Sequence, residues 1–186
     1  MKCLARNVRH SSSIFSATAA MPLAYRFLFP GLWVSWCLYW LWASRRAKLS
    51  ARRESPGSLL LHMVPLIVAA ELLASNRTSI AFLNERPFPW APWQFWLAAV
   101  ITASGMLFTV WARVHLGRNW SGVITIKQDH ELIDTGPYAL VRHPIYTGLL
   151  VAFIGSALAR GEWRGVLAVL IAWVALWRKL RVEEQW

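Results

Sequence analysis

The chain has 186 residues, 56% of them hydrophobic, with 13 Trp and a formal charge of +11. Long apolar runs at that composition exclude an ordinary soluble domain and indicate a multi-span membrane protein. The basic residues lie in loops beside those runs, which suits membrane orientation and anionic headgroups and argues against nucleic acid as a partner. Cys3 and Cys37, the two cysteines, support neither a disulfide framework nor a cysteine metal site, and no metal is expected.

Residues 1–20 carry Lys2, Arg6, Arg9 and the run Ser11 to Ser13 without an acid. That is the composition of a transit peptide, but a disordered extension ahead of a second start at Met21 is the preferred reading. Residues 21–112 form a three-span membrane region. The first span is expected at about Leu23 to Trp42, followed by a loop from Ser44 to Pro56 with Arg45, Arg46, Lys48, Arg52 and Arg53 against Glu54, which should face the cytoplasm. A second span runs from Leu59 to about Ser75, with His62 and Glu71 read as helix-packing polarity. Asn76 to Pro92 is a turn-rich collar of Pro and Trp, and its Asn76-Arg77-Thr78 is a formal glycosylation acceptor of little weight. The third span, Trp93 to about Trp111, holds Ala103, Ser104 and Gly105, small enough for close helix contact.

Residues 113–186 carry the chemistry. The polar stretch Arg113 to Val141 alternates at Val123, Ile124, Thr125 and Ile126, as a short strand or extended arm would. Spans four and five, about Ile145 to Ala159 and Trp163 to Trp177, are joined by Arg160-Gly161-Glu162, so tight a link that they must form a helical hairpin. The second helix should continue through Arg178, Lys179 and Arg181 to Glu183 and Glu184. Fifteen residues cover only ~22 Å of a ~30 Å hydrocarbon core, so both helices must reach into flanking polar sequence or lie in a thinned bilayer. An antiparallel pair returns Glu183 to the start of its partner helix. Taken alone, however, Lys179, Arg181, Glu183 and Glu184 read as a solvated helix end.

That partner helix opens in the segment Gly136-Pro137-Tyr138-Ala139-Leu140-Val141-Arg142-His143-Pro144-Ile145-Tyr146-Thr147-Gly148. Pro144 removes a backbone donor where a helix start leaves one unpaired anyway, so the helix begins there. Free N–H groups of its first turn, the helix dipole and the Arg142 cation favour an anion, and Tyr146 follows His143 by three residues, so both can face one site. Spacing alone equally allows a membrane helix entering at a proline, with Arg142 and His143 as interface anchors.

Arg142-His143-Pro144-x-Tyr146-x-Gly148, preceded by Gly136-Pro137-Tyr138 and followed by Glu183-Glu184, resembles the isoprenylcysteine carboxyl methyltransferase and phospholipid methyltransferase family of integral-membrane enzymes. Leu116-Gly117-Arg118-Asn119-Trp120-Ser121 and His130-Glu131-Leu132-Ile133 fit the family's motif order, so the resemblance spans about Trp111 to Glu184. It implies an all-α, multi-span membrane helix bundle of about five spans, with a cofactor cleft at the cytoplasmic membrane surface. It also implies methyl transfer from S-adenosyl-L-methionine to a membrane-embedded acceptor, foremost the carboxylate of an isoprenylcysteine-like or other lipophilic substrate. Arg142, His143 and Tyr146 would be catalytic, and the cofactor would be held by His130, Leu132, Ile133, Tyr138, His143, Pro144, Tyr146, Gly148, Glu183 and Glu184. A carboxylate acceptor is ionised near neutral pH and needs no base, whereas an amine must lose a proton.

Family members continue beyond the paired glutamates with an aromatic and proline-bearing segment, whereas this sequence stops at Trp186. Three alternatives stand beside the first reading: a phospholipid amine N-methyltransferase, an NADPH-dependent membrane reductase, and a truncated inactive relative that keeps the fold. The reductases more often carry Asn before the Tyr and an acid after the Gly. Ile145 and Leu149 hold those positions here.

Overall fold

The structure, a computed structural model, describes residues 23–45, 56–75, 78–87, 89, 91–117 and 134–185. The elements in chain order are α1 (Leu23–Ser44), α2 (Pro56–Ala74), a 3-10 turn (Ala81–Asn84), α3 (Pro92–Leu116), α4 (Pro137–Leu140), α5 (Pro144–Arg160) and α6 (Trp163–Glu184). Among the described residues the fold is all-α. Expectations for residues 1–20, most of the basic loop, Asn76, the arm at Val123 to Ile126, and His130, Leu132 and Ile133 fall outside those residues.

The chain divides into two units within α1, the first ending at Ser35 and the second beginning at Trp36. The described part of the first is helix, in which the Ser35 hydroxyl donates to the Leu32 carbonyl at 2.9 Å. In the second unit, α3 packs along α5, α2 along α6, and α5 against α6. Residues 57–74 of α2 and the whole of α3 are long and apolar enough to cross a membrane. Leu97, Val100, Leu107 and Val114 of α3 are exposed, whereas Thr102, Gly105, Thr109 and Ala112 of the same helix are buried. Large apolar groups outside and small groups inside form the pattern of a helix surrounded by lipid.

Among the described residues, α3 and α5 pack with their backbones in close contact. A Cβ on Gly105 would stand 2.5 Å from the Gly148 carbonyl oxygen and 2.6 Å from the Ala152 nitrogen. One on Gly148 would stand 2.6 Å from the Gly105 oxygen and 2.8 Å from the Thr109 methyl carbon. Only glycine fits where two backbones meet this closely. Gly105 acts as expected, but its neighbours do not: Ser104 is exposed, and the inward stripe is Thr102, Gly105, Met106 and Thr109. Thr109 links further, donating to the Met106 carbonyl at 2.7 Å and accepting from the Trp36 indole at 2.7 Å.

The expected hairpin is present. α5 ends at Gly161, whose φ of 63° and ψ of 23° lie in the left-handed region that glycine enters at no steric cost, and α6 starts two residues later. α6 has 22 residues and carries the helix on to Glu184, past the apolar stretch that ends near Trp177. Glu71 is exposed on α2, whereas His62 is buried, its Nδ1 3.0 Å from the Ser58 carbonyl oxygen.

Candidate active site

α5 begins as the sequence requires, with Pro144 at its first position and His143 as N-cap. The His143 backbone is extended enough (φ −126°, ψ 67°) to swing its ring back over the first turn. There it stacks on Tyr146, the ring centroids 5.7 Å apart and the planes 9° from parallel. From α6 the Glu183 carboxylate meets this pair: the Tyr146 hydroxyl donates to its Oε1 at 2.5 Å, and His143 Nδ1 lies 3.7 Å from its Oε2. Nε2 of His143 lies 3.8 Å from Glu184 Oε1. One helical turn before Glu183, the buried Lys179 places its Nζ 4.0 Å from Glu183 Oε1. Residues 37 positions apart thus share one polar cluster because the hairpin folds α6 back along α5.

Tyr138 closes the cluster from α4. Burial pushes its hydroxyl up to about 12, with the Arg113 cation pulling down and Glu183 adding to the rise. At neutral pH it is therefore a hydrogen-bond donor. Its ring stacks on His115 at 6.3 Å, and Nε2 of His115 lies 2.9 Å from the Thr135 hydroxyl. A Cβ on Gly136 would stand 2.7 Å from the His115 ring, and the Gly136 φ of 61° suits glycine. Arg113, buried at the end of α3, donates to the Gly117 carbonyl at 2.7 Å and the Ala43 carbonyl at 2.9 Å. His115 and Arg113 were not singled out in the sequence. Apart from the bond of Arg113 to Gly117, these contacts are long-range, and no local spacing marks either residue.

The cluster forms the polar end of a cavity of about 350 Å³. Tyr138, Arg142, His143, Tyr146, Lys179 and Glu183 line that end. Trp36, Trp40, Met63, Leu66, Leu149 and Leu176 supply apolar wall, with His62 among them. Arg142 is exposed at the rim, without a hydrogen bond or ion pair among the described residues. Pro144 is buried against the cavity. Gly148, expected at the cofactor, is buried where α5 meets α3.

A profile of the family described as phospholipid methyltransferase matches residues 93–186, more than half of the chain and all of the cluster. The chain belongs to the phospholipid methyltransferase family. The family match covers the region from α3 to α6, and three curated relatives each match part of the chain. The chain is 32% identical over 76 residues to protein-S-isoprenylcysteine O-methyltransferase of Schizosaccharomyces pombe, covering 39% of this chain and 32% of that protein. It is 38% identical over 61 residues to the nickel-cobalt-cadmium resistance protein NccN of Alcaligenes xylosoxydans xylosoxydans, covering 32% and 28%. It is 27% identical over 93 residues to the uncharacterized protein YpbQ of Bacillus subtilis, covering 48% and 52%. The chain thus spans about half or less of the length of these relatives.

Proposed function

We propose that this protein is an S-adenosyl-L-methionine-dependent methyltransferase acting on a lipophilic, membrane-embedded acceptor. The observation that carries the reading is the cavity itself, in which the Tyr146–Glu183–His143 cluster faces a wall of Trp36, Trp40, Met63 and Leu66. The cofactor supplies an electrophilic methyl group on a sulfonium. The donor set suits its other parts: Glu183 and Glu184 for the ammonium or ribose hydroxyls, Arg142 and the first-turn N–H groups of α5 for the carboxylate. Tyr146, held by Glu183 and stacked on His143, offers an aromatic face to a cation. His130, Leu132 and Ile133 join the adenosyl site by family resemblance.

What these residues do is align and desolvate. The first acceptor reading is the carboxylate of an isoprenylcysteine-like compound, which needs no proton removed. Methylation of a phospholipid amine is the second, favoured by the family name. Isothermal titration of the detergent-purified chain with S-adenosyl-L-methionine and with NADPH tests the proposal. Binding of the former alone supports it, and binding of NADPH alone overturns it in favour of a reductase.

For topology, the reading is five spans with the amino terminus outside and the catalytic face cytoplasmic. It is supported by the basic loop after the first span and by Arg178 and Arg181 at the site end of α6. Labelling of Ser50→Cys by an impermeant reagent from outside sealed cells would overturn the orientation.

A further inference from the structure

α2 turns most of its surface outwards. Leu60, Leu61, Met63, Val64, Ile67 and Val68 are exposed, as the lipid-facing residues of a span are, whereas His62 and Ala69 are buried. Those two stand seven residues apart, about two helical turns, and so share the inward face. On that face the span carries an imidazole where an apolar group would pack without burying polarity. An ionisable side chain turned into the interior of a membrane bundle marks a site by default.

The surroundings of the ring give it a use. His62 belongs to the wall of the cavity of about 350 Å³, together with Met63 and Leu66 of its own helix and Leu176 of α6. Two histidines line that cavity among the described residues, His62 and His143. His143 serves the cofactor end, stacked on Tyr146, with its ring nitrogens 3.7 Å from Glu183 and 3.8 Å from Glu184. His62 stands in the apolar part of the wall, where a lipophilic acceptor would lie.

The Ser58 carbonyl fixes the tautomer of this ring. It lies 3.0 Å from Nδ1, and a carbonyl oxygen only accepts, so Nδ1 carries a proton. In the neutral ring the lone pair then resides on Nε2, the nitrogen farther from the α2 backbone. α2 also lies outside residues 93–186, the part that matches the family profile. Tyr138, His143, Tyr146 and Glu183 fall inside that part, so the cofactor cluster comes from the matched region and His62 from a helix beyond it.

Resting on the methyl-transfer reading, we infer that His62 is the acceptor-side base, taking the proton of a lipophilic acceptor whose reacting atom is an amine nitrogen, a thiol sulfur or a hydroxyl oxygen. That atom attacks the methyl carbon. Its bond to carbon forms as the sulfur–carbon bond breaks, and the bonding pair stays on sulfur as a neutral thioether. The proton of the acceptor passes to Nε2, so the positive charge leaves the sulfonium and ends on the imidazolium, which returns the proton to water. A carboxylate acceptor has no such proton and gives His62 nothing to remove.

The test uses the full chain in detergent with methyl-labelled S-adenosyl-L-methionine. The acceptor probes are phosphatidylethanolamine, a long-chain alkanethiol, an alkylphenol and, as the carboxylate, N-acetyl-S-farnesylcysteine. Label should pass to at least one of the proton-bearing probes, and His62→Gln should lower kcat about a hundredfold while S-adenosyl-L-methionine affinity by isothermal titration stays unchanged. Transfer to the carboxylate alone overturns the inference and leaves the methyl-transfer reading standing. So does full kcat in His62→Gln, or a raised KM with kcat intact, either of which makes His62 a packing residue of the wall. A wild-type chain that binds no S-adenosyl-L-methionine overturns the methyl-transfer reading itself, and the inference with it.

A second measurement needs no turnover and decides the matter where His62→Gln does not fold or no probe is methylated. In nitrogen NMR spectra of the wild-type chain, assigned from variants of the remaining histidines, His62 should show Nδ1 protonated and Nε2 unprotonated, and the Nε2 signal should move when a proton-bearing probe is added. A protonated Nε2, or a signal that none of those probes moves, overturns the inference.

Discussion

Glu183→Gln isolates the contribution of charge to the cluster. Oε1 of Glu183 accepts the Tyr146 hydroxyl at 2.5 Å, and Oε2 lies 3.7 Å from His143. Glutamine keeps the side-chain shape and one carbonyl oxygen, so Tyr146 retains an acceptor and only the anion is lost. A hydrogen bond to a charged group contributes about 1.5–3 kcal/mol. Because the Glu183 side chain is 26% exposed, solvent screening moves the expectation to the lower half of that range. A loss of about 1.5–2 kcal/mol corresponds to S-adenosyl-L-methionine binding weakened roughly 10- to 30-fold. Glu184, 40% exposed, should cost less than tenfold on the same argument. Lys179 loses an anion 4.0 Å away, so a small fall in Tm should accompany Glu183→Gln. The assay is isothermal titration paired with thermal unfolding on the same preparations. Unchanged cofactor affinity in both variants refutes the reasoning and returns the two acids to the role of a solvated helix end.

His143→Ala and Tyr146→Ala should each abolish methyl transfer and weaken cofactor binding while the protein stays inserted and folded; normal binding with lowered Tm would show them to be interface anchors. Gly105→Ala should destabilise by about 1–3 kcal/mol or more, since its Cβ would meet the Gly148 carbonyl at 2.5 Å, whereas Gly57→Ala, with nothing within 4 Å, should change Tm little. Tyr138 binds its proton more tightly when folded, so its contribution to stability is fully present below pH 10 and is lost as pH rises towards about 12. Unfolding curves across that window should be flatter for Tyr138→Phe, and identical pH dependence in both proteins would refute the assignment.

The helices were legible because apolar runs and Pro144 are local signals, and the hairpin because Gly161-Glu162 is too short for any other connection. The meeting of Tyr146 with Glu183 followed from that topology, although the distances did not. Apolar runs mark a span without marking its inward face. In α3 that face is written in small and polar residues, Thr102, Gly105, Thr109 and Ala112, at steps of three and four, a pattern that Ala103 and Ser104 obscure by adjacency. Gly148 carries a constraint that its place inside a motif does not reveal, a backbone contact with α3 too close for any side chain. His62 read as packing polarity, and its position on the cavity wall depends on how α2 lies against α6, which no spacing within α2 encodes.

The two-residue turn at Gly161 and Glu162 makes the hairpin a ruler. From that turn, α5 measures back about 26 Å to Pro144 and α6 measures out about 33 Å to Glu184, and the cluster exists where side chains of the two arms meet. One residue inserted into either arm would turn every side chain beyond it by about 100° and lift it about 1.5 Å, swinging Glu183 away from Tyr146 without disturbing the hydrophobic pattern. The hairpin therefore tolerates exchange of its outward apolar residues far better than any change in its length, while insertions in the segment before α4 leave both arms in phase.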